Sequence, residues 1–177
     1  MQWIVHGERA LYESEWVNLS LVDVEIPDER RFDHHVIRVP RAAAGTVIHR
    51  RDEVLLLWRH RFITDTWGWE IPAGKVEDGE APIEAAEREA LEETGWQPGP
   101  LQHLTTFHPT NGMSDHTFHI FLADGATHIG EPTDRSEATR VDWVPVTRVR
   151  EFIASDDIRD GLSLCSLAVA LARGLLD

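Results

Sequence analysis

The fold class this sequence predicts is an α+β sandwich, a mixed β-sheet held between helices, with an antiparallel β appendage at the N-terminus. Three observations predict it. Short runs rich in β-branched and aromatic residues recur between turn residues from Glu15 to Val144. One helical segment, opened by Pro82 and closed by Gly95, interrupts them, and an apolar run at helical spacing, Leu162 to Leu175, ends the chain. Strands mingled with two main helices require layers, because each element has an apolar face to bury.

In chain order, Glu15 to Ile26 alternates apolar and polar residues as a strand, Pro27-Asp28-Glu29 closes it as a turn, and His34 to Val39 returns. Pro40 marks a boundary between an appendage, 1–40, and a main domain, 41–177. Ala42 to His49 and Val54 to Arg59, joined by Arg50 to Glu53, form a hairpin, and Trp67 to Ile71 is a short strand. Pro82 suits a first helical turn because its missing N–H has no partner there, and Gly95 suits the left-handed residue just past a helix. Strands follow at Leu101 to His108, His116 to Ala123 and Arg140 to Val144. A short helix is expected over Val146 to Ala154, and the Leu162 helix covers one sheet face.

A chain of 177 residues suits one domain with an appendage. Its formal charge of -14 argues against a nucleic-acid polymer as partner, since phosphate contacts need clustered Lys and Arg, but it permits a small phosphorylated ligand. The single cysteine, Cys165, cannot form an intrachain disulfide, which fits a reducing compartment and a cytoplasmic location. Neither a membrane span nor an export signal is expected: the apolar run is too short and is broken by Arg173, and His6, Glu8 and Arg9 interrupt the N-terminus. The adjacent His34 and His35 point to opposite strand faces, so zinc is not expected.

The chemistry is concentrated in Gly74 to Trp96. Glu89, Glu92 and Glu93 share one helix face, where like charges oppose helix formation by a few tenths of a kcal/mol per pair. A hard divalent cation reverses that penalty, since Mg²⁺ takes oxygen ligands from carboxylates and substrate phosphates. A solvated acidic face is the plain alternative. The whole spacing is Gly74, five residues, Glu80, seven residues, Arg88-Glu89, two residues, Glu92-Glu93, one residue, Gly95. It resembles the Nudix box of hydrolases that cleave a nucleoside diphosphate linked to another group. Only Ala90 and Trp96 depart from the large aliphatics of that pattern, and both are packing positions.

That resemblance implies an α/β/α Nudix sandwich and metal held by Glu89 and Glu93, with the carbonyl of Ala73 joining them and Glu92 acting as a third ligand or a base. It also implies that Arg88, paired with Glu80, orients the catalytic glutamates. Mg²⁺ is the expected ion, with Mn²⁺ able to substitute. The segment Trp67 to Gly74, which includes Trp69 and Glu70, and the loop Phe107 to Asp115 after the box are similar to those of ADP-ribose pyrophosphatases, which implies substrate contacts from Trp69, Glu70 and Asp115. In that group an arginine at the end of the strand before the box meets the diphosphate, making Arg61 the first candidate here and Arg59 the second. Glu137, in the loop Glu131 to Glu137, is the candidate general base or extra ligand.

The resemblance implies hydrolysis of ADP-ribose to AMP and ribose 5-phosphate by a homodimer in which the appendage forms interface and pocket wall. Alternatives are another nucleotide-sugar-type substrate such as GDP-mannose, a flavin or dinucleotide, or a catalytically silent domain that senses a nucleotide. The intact glutamate set speaks against the silent reading. An isomerase would want a cysteine beside the glutamates, and Cys165 lies in the wrong element.

Overall fold

The computed structural model describes residues 1–133 and 138–176. These residues group into two compact units, one made of 1–42 with 108–117 and the other of the described residues from 43–107 and from 118 onward.

In the first unit, β1 (Ile4–Tyr12), β2 (Asn18–Ile26) and β3 (Arg30–Arg38) form an antiparallel sheet in the order β1-β2-β3. The β2–β3 turn places Asp28 at φ 63, a conformation Asp tolerates through its short polar side chain. Strand β3 starts at Arg30, four residues before the expected His34, because the ladder runs unbroken from Ile26↔Arg30 to Asn18↔Arg38. Strand β1 is not legible in the sequence. All nine of its residues are exposed, so no apolar alternation marks it, and its order comes from backbone pairing to β2 and from ion pairs such as Arg38–Glu8 at 2.7 Å. The loop 108–117 attaches through Ile37 N–H to the Met113 carbonyl at 2.8 Å and Val39 N–H to Asp115 at 2.9 Å.

The second unit carries β4 (Ala43–Arg50), β5 (Glu53–Arg61), β6 (Thr66–Glu70), β7 (Ala73–Lys75), α1 (Pro82–Thr94), β8 (Trp96–Pro98), β9 (Leu101–Phe107), β10 (Phe118–Asp124), β11 (Ala126–His128), β12 (Arg140–Pro145), α2 (Val146–Ala154) and α3 (Gly161–Ala172). Its sheet has the order β12-β5-β4-β10-β9, with β6 on β5 and β7 on β4. The β4–β10 pair is parallel and the others antiparallel, which makes the sheet mixed.

Leu55, Leu56 and Leu57 of β5 are all fully buried, so both faces of this strand are covered. Each contributes ~2 kcal/mol through burial. On one face lies α1, whose Ala85, Ala86 and Ala90 pack against Ala44, Phe121, Ile48 and Leu55. Small residues let that helix approach closely enough for Thr46 Oγ1 to donate to the Ala86 carbonyl at 3.1 Å. Ala90, the smaller residue where the family pattern wants a large one, fills its place against Ile48 and Leu55. The opposite face is covered by α2 and α3 through Val149, Leu162, Leu167 and Ala170. An α/β/α sandwich results.

Candidate active site

Each end of α1 is set by its own sequence. Pro82 opens it, Glu84 accepts the Ala81 N–H at 2.9 Å, and Gly95 closes it at φ 74 with its N–H on the Leu91 carbonyl. This fixes the phase of the helix, and with it the direction of the box glutamates. The segment before the box is held independently. Ser163 in the first turn of α3 accepts the Ile71 N–H at 3.1 Å, Thr46 N–H donates to the Pro72 carbonyl at 3.0 Å, and Asp160 caps α3. Strand β7 then runs beside α1, and Gly74 lies so close that a Cβ there would overlap the Glu89 carboxyl.

Arg88 is the hub of the outer half. It donates to Glu80 through Nε and Nη2 at 2.9 and 3.0 Å, to Glu89 at 2.8 Å, to Glu92 at 3.0 Å and to the Lys75 carbonyl at 3.0 Å. The hydrogen bond from Arg88 holds the Glu80 carboxyl below the usual carboxylate range, whereas burial pushes the Glu89 carboxyl up against the pull of Arg88. The expected Arg88–Glu80 pair is therefore present as geometry, and Arg88 reaches two of the three box glutamates.

The inner half is buried. Glu93 is only 4% exposed, and its oxygens accept from Arg59 Nη2 at 2.6 Å and from the Ala73 N–H at 3.0 Å. Burial pushes its carboxyl up to about 7, with the Arg59 guanidinium pulling the other way. Arg59 Nη1 also lies 3.8 Å from Glu70, which accepts three hydrogen bonds from Arg61. The Arg61 side chain is 47% exposed and opens on a cleft of about 510 Å³ between the β5–β6 turn and the start of α3, walled also by Trp67, Gly68, Arg159 and Asp160.

Glu89, Glu92, Glu93, Arg88, Ala73, Arg61, Arg59 and Glu70 thus belong to one connected region. Trp69 and Arg59, both expected as contact residues, are buried. Trp69 is 5% exposed, stacked on Phe152 with Arg140 over its ring, because the register Trp58↔Trp69 points it into the core beneath α2 and α3. Arg59 is turned inward to Glu93 and is no more exposed than a core leucine. Asp115 belongs to the first unit, where it receives Arg38 and the Val39 N–H. Glu137 lies outside the described residues. Nothing local in the sequence marks Arg159 and Asp160 as cleft walls, although an Asp directly before an apolar helical run is a readable cap signal.

Carboxylates on a helix over a mixed sheet, with arginines on both sides, are groups whose chemistry suits a hard cation and phosphate oxygens. The chain belongs to the NUDIX family: the NUDIX domain model matches residues 39–162. It is a Nudix hydrolase, similar to ADP-ribose pyrophosphatases. CMP-5'-(N-acetyl-N-hydroxy-3-aminopropyl)phosphonate hydrolase of Streptomyces rubellomurinus (strain ATCC 31215) is 42% identical over 170 residues, spanning 96% of this chain and 82% of that protein. ADP-ribose pyrophosphatase of Bacillus subtilis (strain 168) is 29% identical over 141 residues, 80% of this chain and 76% of that one. A crystal structure of an ADP compounds hydrolase shares the fold at a TM-score of 0.85 with 19% identity, covering 99% of this chain and 95% of its own. Among the described residues no helix is long and apolar enough to cross a membrane.

Proposed function

We propose that this hydrolase cleaves the P–O–P linkage between a nucleoside monophosphate and a second phosphoryl-type group, with a divalent cation held by Glu89 and Glu93. The observation that carries the reading is the placement of these two carboxylates, four residues apart on α1 and largely shielded from water, against the backbone of Ala73 and Gly74. Hard oxygen donors of this kind fit Mg²⁺, with Mn²⁺ a substitute, and the Ala73 carbonyl is a further donor. When bound, such a cation neutralises phosphoryl oxygens and acidifies water. The chain's own residues do the rest. Arg88 holds Glu89 and Glu92 in place, Arg61 presents a guanidinium at the cleft to grip phosphoryl oxygens, and Glu92, the most exposed of the three glutamates, is the third ligand or the base.

Two substrates fit this class. ADP-ribose, giving AMP and ribose 5-phosphate, is supported by the motifs on either side of the box and by a relative of that name at 29% identity. A CMP-linked phosphonate, giving CMP and free phosphonate, is supported by the relative at 42% identity over 96% of the chain, and this is the higher identity. A panel of ADP-ribose, a CMP-linked aminoalkylphosphonate, GDP-mannose and nucleoside triphosphates, incubated with Mg²⁺ and followed by chromatography of released nucleotide, separates them. Release of AMP or CMP identifies the substrate; no turnover on any member overturns the reading.

Gly74→Ala supplies a check on Glu89. The added methyl overlaps a carboxyl at the end of a flexible side chain, so the fold is retained while Glu89 is pushed aside. Hydrolysis is expected to fall about a hundredfold, as for a catalytic group misplaced by an ångström. An unchanged rate would remove Glu89 from the site.

The proposed assembly is a homodimer through the β appendage, in a reducing, cytoplasmic setting suggested by the lone Cys165. Support comes from Val5, Tyr12 and Trp16, all more than half exposed on or beside the nine-residue strand β1, whose outer edge is unpaired among the described residues. Light scattering on the full chain should give twice the monomer mass; a monomer at micromolar concentration would refute the dimer.

A further inference from the structure

Arg59 has no part in the proposed reaction, yet it is among the most deeply buried side chains, 2% exposed. A guanidinium at that depth persists only where anions compensate it. Here they stand on either side: Glu93 Oε1 at 2.6 Å from Nη2 and Glu70 Oε2 at 3.8 Å from Nη1. Glu70 is fixed in turn by Arg61, so a series of alternating charges, Glu93, Arg59, Glu70, Arg61, runs from the box helix to the cleft. The second oxygen of Glu93 is taken by the Ala73 N–H. Both oxygens of a proposed cation ligand therefore already have donors from the chain. In this arrangement the box carboxylates are shared out between Arg88 and Arg59, and no three His, Cys, Asp or Glu side chains among the described residues are grouped as a cation would need them.

We propose that Arg59 is a built-in counter-ion for Glu93: it holds the cation-free site together and, by placing a positive charge on the same carboxylate, weakens divalent-cation binding to the substrate-free enzyme. This rests on Glu93 being a cation ligand, as proposed above. Glu70 gives the guanidinium a second anion, so Arg59 can yield the Glu93 oxygen to an incoming cation without leaving the interior. The chemistry also separates Arg59 from Arg61. One is enclosed between carboxylates and acts on Glu93, whereas the other is half exposed at the cleft and meets the substrate.

Calorimetric titration of Mn²⁺ into cation-stripped, substrate-free protein tests this. Arg59→Gln, which keeps donors and removes the charge, is expected to bind Mn²⁺ at least tenfold more tightly than the wild type, with Arg59→Lys close to the wild type. Without cation, Arg59→Gln should melt below the wild type and gain more in Tm from Mn²⁺ than the wild type does. Unchanged or weaker Mn²⁺ binding overturns the proposal, as does a raised KM with unaltered Mn²⁺ affinity, which would assign Arg59 to the substrate. Should Arg59→Gln not fold without cation, the double variant Arg59→Gln/Glu93→Gln is expected to fold and melt above it, and a double variant no more stable than the single one overturns the proposal. If neither the wild type nor Arg59→Gln takes up Mn²⁺, the underlying reading falls together with this one. Uptake that is abolished by Glu93→Gln yet unaffected by Arg59→Gln overturns the counter-ion role alone.

Discussion

Glu93→Gln is expected to reduce hydrolysis by about a hundred- to a thousandfold while leaving the chain folded. The change is nearly isosteric, and the amide oxygen can still accept the Ala73 N–H or face Arg59, so the fold is retained, but the buried Arg59 loses the Glu93 charge while keeping Glu70, and the variant is expected to melt below the wild type. What is lost is a charged oxygen ligand. If the cation it holds supplies several kcal/mol of transition-state charge stabilisation, loss of ~3–4 kcal/mol of it corresponds to that factor in rate. Rates on the substrate identified by the panel, with circular dichroism as the control for folding, provide the check. Activity near wild type would place the cation site elsewhere.

A large effect on stability is expected from Gly95→Ala. Gly95 ends α1 at φ 74, and a Cβ there would overlap the Gly130 carbonyl oxygen, which is backbone and cannot rotate away. Two penalties combine: the left-handed conformation costs an L-residue ~1–2 kcal/mol, and the overlap forces the chain near Gly130 to shift, breaking the Ile129 N–H bond to the Gly95 carbonyl at 2.9 Å. A loss of at least ~2 kcal/mol is expected, about 4–8 °C in Tm for a chain of this size. Thermal melting at fixed pH and cation concentration measures it, and a shift under 1 °C would contradict both penalties.

The difference between Gly95 and Trp69 shows which parts of the site a sequence exposes. The residues from Pro82 to Thr94 lie on a single helix, so the offsets among Arg88, Glu89, Glu92 and Glu93 translate into directions by helical geometry alone, and Gly95 marks where that geometry stops. Trp69 and Arg59 sit on strands whose faces depend on the register of β5 against β6 and on which helix covers each side. A burial of 2% for Arg59, paired to a glutamate 34 positions away, follows from the packing of α1 over β5 and from no local pattern. Strand β1 is illegible for the opposite reason, since a strand exposed on both faces has no apolar alternation to read. Arg61 was legible only through the resemblance to ADP-ribose pyrophosphatases; its bidentate hold on Glu70 was not.

Anomalous scattering from crystals soaked in Mn²⁺ tests the central proposal most directly, because it locates the cation without reference to substrate. The expected result is a peak at about 2.0–2.2 Å from carboxylate oxygens of both Glu89 and Glu93, with Arg59 moved towards Glu70. Mn²⁺ bound away from α1, with Glu93 still held by Arg59 and Ala73, would contradict it.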